Sequence, residues 1–163
     1  AYTQFGFDMD TNGKLMIFAI VLNVFAGIGA FLFGFVDDHI GGKKTVQLTN
    51  AGFIIALVLA FLAPDLKNGE MYFWISGILI GIFMGPNQAA SRSLMGRLIP
   101  DNKENEFYGF FAFSGKATAF LGPMLFTIVV TYTNSMRLSL LMLAFLFLIG
   151  IFLLRKVSDP QTN

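Results

Sequence analysis

A chain of 163 residues that is 55% hydrophobic, 13% charged and carries 20 phenylalanines is too apolar for an ordinary water-soluble domain. Its net charge of +1 is scattered over the polar links, so no basic stripe is available to nucleic acid, which is excluded as a partner. With no cysteine, disulfides, thiolate metal sites and cysteine nucleophiles are removed together.

Residues 1–13 hold no basic n-region, and the apolar run behind them is too long for a signal-peptide core, so no cleaved targeting segment is read. The chain starts at Ala1, and the polar stretch 3–14 reads as the tail of an external loop, with further chain expected upstream. Five apolar runs follow, at about 15–36, 45–63, 72–90, 107–132 and 138–154. Each meets or approaches the roughly 20 helical residues that cross a hydrocarbon core about 30 Å thick. Runs of this length lack the alternation of barrel strands, and lipid tolerates only helices or closed barrels, so the spans are helices. The expected fold is an all-α integral membrane protein, one domain over 1–163, ending in a short solvated tail at 158–163. The lipid bilayer is its first partner.

Basic residues set the expected orientation. Seven of them, Lys43, Lys44, Arg92, Arg97, Lys103, Arg155 and Lys156, fall on one side, against Lys14, Lys67 and Arg137 on the other. The amino terminus is therefore expected outside and the carboxyl terminus in the cytoplasm. Tyr72, Trp74 and Tyr132 fall where the outer interface would lie.

In the first span Asn23 is the one polar side chain at mid-depth, a candidate for lining a cavity or for an interhelical hydrogen bond, and Ala26, Ala30 and Gly34 recur every four residues. The link at 34–44, GFVDDHIGGKK, reads as a tight cytoplasmic turn. Lys43 and Lys44 stand at a helix start, where cations oppose the dipole, so they require a reason other than that helix, which the bias of basic residues toward the cytoplasmic side supplies. On the third span Gly77, Gly81 and Gly85 share one face and permit close helix packing. Beyond it come Asn87, Gln88, Ser91 and Arg92, which are suited to lining a path or capping helices. Pro100 is expected to end this helix, and Asp101 with Glu104 has the form of a capping box that starts the next near Asn102. Pro86 and Pro123, each after a glycine, are expected to break or bend their spans.

The fourth span holds Lys116, nine residues or roughly 14 Å beyond Phe107. An ammonium at that depth costs at least about 2.5 to 3.5 kcal/mol, so it needs water or a partner unless the helix slides to bring it to the interface. No acid lies inside any span, and a substrate carboxylate is one candidate partner. Ser114, Thr118 and Gly122 form a small stripe on the same helix, with hydroxyls available to an interface or a cavity. A Schiff base between Lys116 and a chromophore aldehyde is a rival use, though it wants a counter-ion carboxylate. A membrane scaffold whose glycine faces assemble partner helices is another. His39 is the only histidine, so metal sites lack their parts, and no phosphate-binding glycine loop is present. No cofactor and no enzyme activity are expected.

Gly34, Asp38, Gly41 and Lys43 stand at the spacing of the loop motif of the major facilitator superfamily, with His39 and Gly42 departing from it. The stretch 85–123, GPNQAASRSLMGRLIPDNKENEFYGFFAFSGKATAFLGP, resembles the vacuole-effluxer-like branch of that superfamily more closely. The branch's recurring series is matched by Gln88, Ser91, Arg92, Ser93, Arg97, Leu98, Ile99, Pro100, Glu106, Phe107, Gly109, Gly122 and Pro123. The resemblance implies a partial major-facilitator fold in which the five spans equal the eighth to twelfth helices of a twelve-helix carrier, a half-bundle lacking one helix. It implies a secondary transporter of a small solute, with amino acids as the substrate class of eukaryotic members, a coupling proton, and an amino-terminal half as partner. It also implies that Asp38, Lys43 and Lys44, with Arg92 and Arg97, form a charge network closing the cytoplasmic side. The membrane would be vacuolar in a eukaryote and the plasma membrane in a bacterium.

Overall fold

The computed structural model describes residues 13–100 and 102–157. The readings made above for 1–12, for Asp101 as a cap and for the tail at 158–163 lie outside them. Five helices follow in chain order: α1 Lys14–Ile40, α2 Gly42–Leu62, α3 Gly69–Leu98, α4 Glu104–Thr133 and α5 Met136–Arg155, with a 3-10 turn at Ala63–Asp65 after α2. Among the described residues there is no strand. Four helical segments, Lys14–Ile40, Gly42–Asp65, Glu104–Thr133 and Met136–Arg155, are long and apolar enough to cross a membrane. The fifth expected span is α3, a continuous helix of 30 residues that is less apolar than the other four.

The helices outrun the apolar spans, and the links shrink accordingly. A 30-residue helix is about 45 Å long, against a hydrocarbon core of about 30 Å, so its ends reach into the headgroup layer. There the polar residues of 34–40 and 91–98 remain helical, because the backbone satisfies its own hydrogen bonds whatever the side chains are. The expected eleven-residue turn at 34–44 is reduced to Gly41, whose φ of 84° permits the reversal and whose N–H donates to the Asp37 carbonyl at 3.0 Å. The expected helix start near Asn102 is also corrected: α4 begins at Glu104, its N-cap is Lys103 without a side-chain bond, and Asn102 carries the positive φ of the turn. Both prolines lie inside continuous helices, so neither breaks its span.

Laterally the order is α1, α3, α2, α5, α4, with α2 the most enclosed helix and α4 touching α3 only sparsely. Lipid tails are as apolar as leucine, so close fit and hydrogen bonds must hold these helices together. The fit is glycine against backbone and phenylalanine. Gly81 faces the Leu22 carbonyl and Gly85 that of Ala26, so a Cβ on either would stand 2.6 Å from the oxygen, while Gly77 and Gly52 receive the rings of Phe18 and Phe83. Phe83 also meets Phe33 edge-on at 5.7 Å, and Phe53 stacks on Phe147 at 4.7 Å, which carries the aromatic contact from α1 across to α5.

Candidate functional site

Three polar assemblies stand out. The first is at the bundle end formed by the α1–α2 turn, the C-termini of α3 and α5 and the start of α4. Arg97 of α3 reaches Asp37 of α1 at 3.4 Å, with both side chains mostly buried. The contact is single: Asp37 Oδ1 and Arg97 Nη1 are buried with no hydrogen-bond partner among the described residues. Asp38 is exposed and enters no ion pair among them. Lys43 donates its Nζ to the carbonyls of Arg155 and Val157 at the end of α5. That gives this cation a second role beside the cytoplasmic bias: it caps a neighbouring helix, where the dipole favours positive charge, while standing at the start of its own. Lys44 and Gly34 are exposed, and a Cβ on Gly34 would meet nothing within 4 Å.

The second assembly joins α2 to α3. Asn87 Nδ2 donates to Thr49 Oγ1 and to Asn50 Oδ1, both at 2.8 Å, and Thr49 is fully buried. The single hydroxyl hydrogen of Thr49 is in turn shared between the carbonyls of Thr45 and Val46, each at 3.0 Å, while its oxygen accepts from Asn87. Sequence reasoning missed Thr49 and Asn50. The signal was present as two adjacent polar residues within the span 45–63, unnoticed because their neighbours keep the run apolar. Gln88, next to Asn87, turns outward and is exposed, and Asn23 donates to the Ala19 carbonyl of its own helix at 2.8 Å.

The third is a groove between α3 and α4 of about 590 Å³, lined by Arg92 from α3 and by Tyr108, Phe111, Ala112, Gly115, Lys116 and Ala119 from α4. The two helices meet where Tyr108 approaches Gly96, with the phenol oxygen 2.9 Å from where a Cβ would stand. Farther along α4 the space is open: Gly109, Gly115 and Gly122 have nothing within 4 Å of such a Cβ. Lys116 lies eight residues beyond Tyr108, roughly 12 Å along the helix axis. No ion pair among the described residues includes it, and no acid lines the groove. Ser114 and Thr118 bond back to carbonyls of their own helix, Phe111 for the first and Ser114 and Gly115 for the second. Thr118 and Gly122 border a separate apolar cavity of about 390 Å³ between α4 and α5.

Lys116 and Arg92 are thus brought together, while Asn23, Gln88 and the Ser114 and Thr118 hydroxyls stand apart from that groove. No cluster of three His, Cys, Asp or Glu side chains that would hold a metal occurs among the described residues. With no carboxylate at the groove, a protonated Schiff base on Lys116 would have no counter-ion there.

The sequence matches the family described as "Vacuole effluxer Atg22 like" over residues 2–161. The chain belongs to that family. It is 28% identical to the Bacillus subtilis protein named "Uncharacterized MFS-type transporter YxiO" over 99% of this chain and 37% of the relative. To "Autophagy-related protein 22" of Cryptococcus neoformans it is 24% identical, over 89% of this chain and 29% of the relative. To the protein of that name from Kluyveromyces lactis it is 38% identical over 49% of this chain and 16% of the relative. The chain thus spans about a third of the length of the first two. No solved structure matches. Members of this family are named as effluxers and transporters, a class of carriers and not of enzymes.

Proposed function

We propose that this chain is part of a secondary active transporter that carries a small solute by alternating access, with the α3–α4 groove as a portion of the solute path. The observation that carries the reading is the cation Lys116, set in a groove whose other walls are apolar apart from Arg92 and Tyr108, in a chain whose family is named for efflux. An ammonium at this depth is expensive to maintain in lipid, and such residues face cavities or solute pathways. The chain would supply the eighth to twelfth helices of the carrier, and an amino-terminal half would close the groove from the other side. Its amino terminus would face out and its carboxyl terminus the cytoplasm, in accord with the bias of basic residues. Amino acids are the solute class we assign, with a proton as the coupling ion; the vacuolar membrane is the expected site in a eukaryote and the plasma membrane in a bacterium.

The Asp37–Arg97 pair fits a gate between α1 and α3 in such a carrier. A single bond with two unsatisfied atoms beside it holds weakly for its burial, which suits a contact that must break in each cycle.

The test is flux. The full-length protein, reconstituted in liposomes with an imposed pH gradient, is expected to move labelled amino acids saturably, and to lose at least about tenfold in rate on Lys116→Met. A protonophore is expected to abolish accumulation. A correctly inserted protein whose Lys116→Met variant transports at the native rate would overturn the role of the groove.

A further inference from the structure

We infer that the α3–α4 groove is an oxyanion site: Arg92 and Lys116 together bind the carboxylate or phosphate group of a ligand that enters between the helices. The inference rests on the transport reading for its biological use, but the site itself is argued from charge and shape. Two basic side chains, one from α3 and one from α4, line one cavity of about 590 Å³, and no acid lines it to neutralise them. Every other basic side chain for which the structure gives a polar contact is directed at protein acceptors: Lys14 at Glu70, Lys43 at the α5 carbonyls, Arg97 at Asp37, and Arg137 at Asp65 and Phe61. Lys116 and Arg92 are exposed and, like Lys44, Lys67, Lys103, Arg155 and Lys156, have no such acceptor among the described residues; what sets the two apart is that they line one cavity.

The chemistry of the pair favours an anion with an apolar or aromatic body. The guanidinium provides a planar fork for two oxygens, the ammonium a point charge, and both act more strongly against apolar walls than in water. Phe111, Ala112 and Ala119 provide such walls, while the Tyr108 hydroxyl near the closed end can bond a second polar group of the ligand. Because the groove is lined beside Lys116 by Gly115, which has nothing within 4 Å of where a Cβ would stand, a ligand of several heavy atoms reaches Lys116 without displacing a side chain. An oxyanion of this kind can come from a soluble organic acid or amino acid, or from an anionic lipid headgroup.

Pyridoxal 5′-phosphate is a suitable probe because it carries an oxyanion and an aldehyde together. The Lys116 amine attacks the aldehyde carbon, water leaves, and the resulting imine is trapped by borohydride, which delivers hydride to carbon while solvent protonates nitrogen. With full-length protein in phosphatidylcholine nanodiscs and mass spectrometry of the lysine peptides, the ratio of pyridoxal phosphate to pyridoxal labelling at Lys116 is expected to exceed that at the exposed Lys67 by at least about tenfold, the second lysine cancelling the intrinsic difference between the two aldehydes. Arg92→Gln is expected to bring that ratio down to the one at Lys67, with an unchanged thermal midpoint showing that the variant is folded. Protection by succinate would identify a soluble ligand as the source, and protection only when phosphatidylglycerol replaces phosphatidylcholine would identify a headgroup; either supports the site. A ratio at Lys116 no greater than that at Lys67, or protection by neither anion, would overturn it, and the wild-type comparison decides this even if Arg92→Gln fails to fold. Labelling requires no flux, so a protein that protects Lys116 with succinate yet carries nothing would sink the transport reading and leave the site standing.

Discussion

Gly29 of α1 lies directly against the backbone carbonyl of Ile82 in α3, so closely that a Cβ at residue 29 would overlap the carbonyl oxygen. Ile82 is four residues before Pro86, and proline has no N–H with which to complete the helical bond to that oxygen. The glycine therefore brings a neighbouring backbone onto the one carbonyl of α3 that the proline leaves short, a geometry that also suits a Cα–H to oxygen contact. Gly29→Ala is expected to destabilise the full-length protein by about 1–3 kcal/mol, read as a lower thermal midpoint in detergent, because backbone and not a flexible side chain must yield. Gly27→Ala is the control: its Cβ would meet nothing within 4 Å, and the midpoint should hold or rise slightly. Equal effects of the two would refute the packing argument.

Asp37 and Asp38 give a second contrast. Consecutive helical residues point about 100° apart, which sends Asp37 toward Arg97 and leaves Asp38 exposed. Asp37→Asn is expected to weaken the α1–α3 contact by about 1.5–3 kcal/mol, the usual range for a bond between charged partners, and, under the alternating-access proposal, to shift the distribution between outward- and inward-open states. Asp38→Asn is expected to do little of either. Arg97→Gln combined with Asp37→Asn should recover part of the loss, since an amide pair leaves no unpaired buried charge. Accessibility of reporter cysteines placed on either side of the membrane measures the state distribution; an unchanged pattern in Asp37→Asn would remove the pair's gating role.

The contrast shows where sequence reasoning reached and where it stopped. Helices and their apolar faces were legible, because length and composition alone demand them in lipid, and Lys116 announced itself by its cost. The glycine face of α3 was legible as a period of four, but Gly29 and Gly52 were not, since a single close approach has no period. Reading 34–44 as a loop obscured the choice between Asp37 and Asp38: a loop has no faces, whereas the structure continues α1 to Ile40. The lateral order, with α3 and not α1 beside α2 along its length, is a tertiary fact that no local pattern encodes, and it is what joins Asn87 to Thr49 and Asn50.

That amide cluster yields a third prediction. Asn87→Leu removes two 2.8 Å bonds and leaves the Asn50 carbonyl oxygen without its donor in an enclosed interface. Bonds of this kind within membranes are modest, so the expected cost is about 0.6–1.7 kcal/mol in an unfolding titration. Thr49→Val removes the oxygen that accepts from Asn87 and a donor whose carbonyl partners lie in its own helix, leaves the Asn87–Asn50 bond in place, and should cost less. In a double-mutant cycle the two should couple; simple additivity would show that Asn87 gains nothing from the Thr49 hydroxyl.

At the opposite end of the bundle, Arg137 fastens the start of α5 to the end of α2. Its Nε and Nη2 donate to the Phe61 carbonyl at 3.2 and 2.9 Å, the guanidinium also bonds both carboxylate oxygens of Asp65, and its carbon lies 5.0 Å from the Phe61 ring centre. Lysine keeps the charge but has neither the fork nor the planar face, so Arg137→Lys is expected to lower the thermal midpoint distinctly. Asp65→Asn should lower it less, because the two bonds to the Phe61 carbonyl and the ring contact survive. Raising the salt concentration should diminish the Asp65→Asn effect, since that carboxylate is exposed and its share of the attraction is screened, while leaving most of the Arg137→Lys effect in place. A midpoint in Arg137→Lys equal to that of the native protein would mean that charge alone holds this corner, and the carbonyl-capping fork would have to be abandoned as the reason for an arginine there.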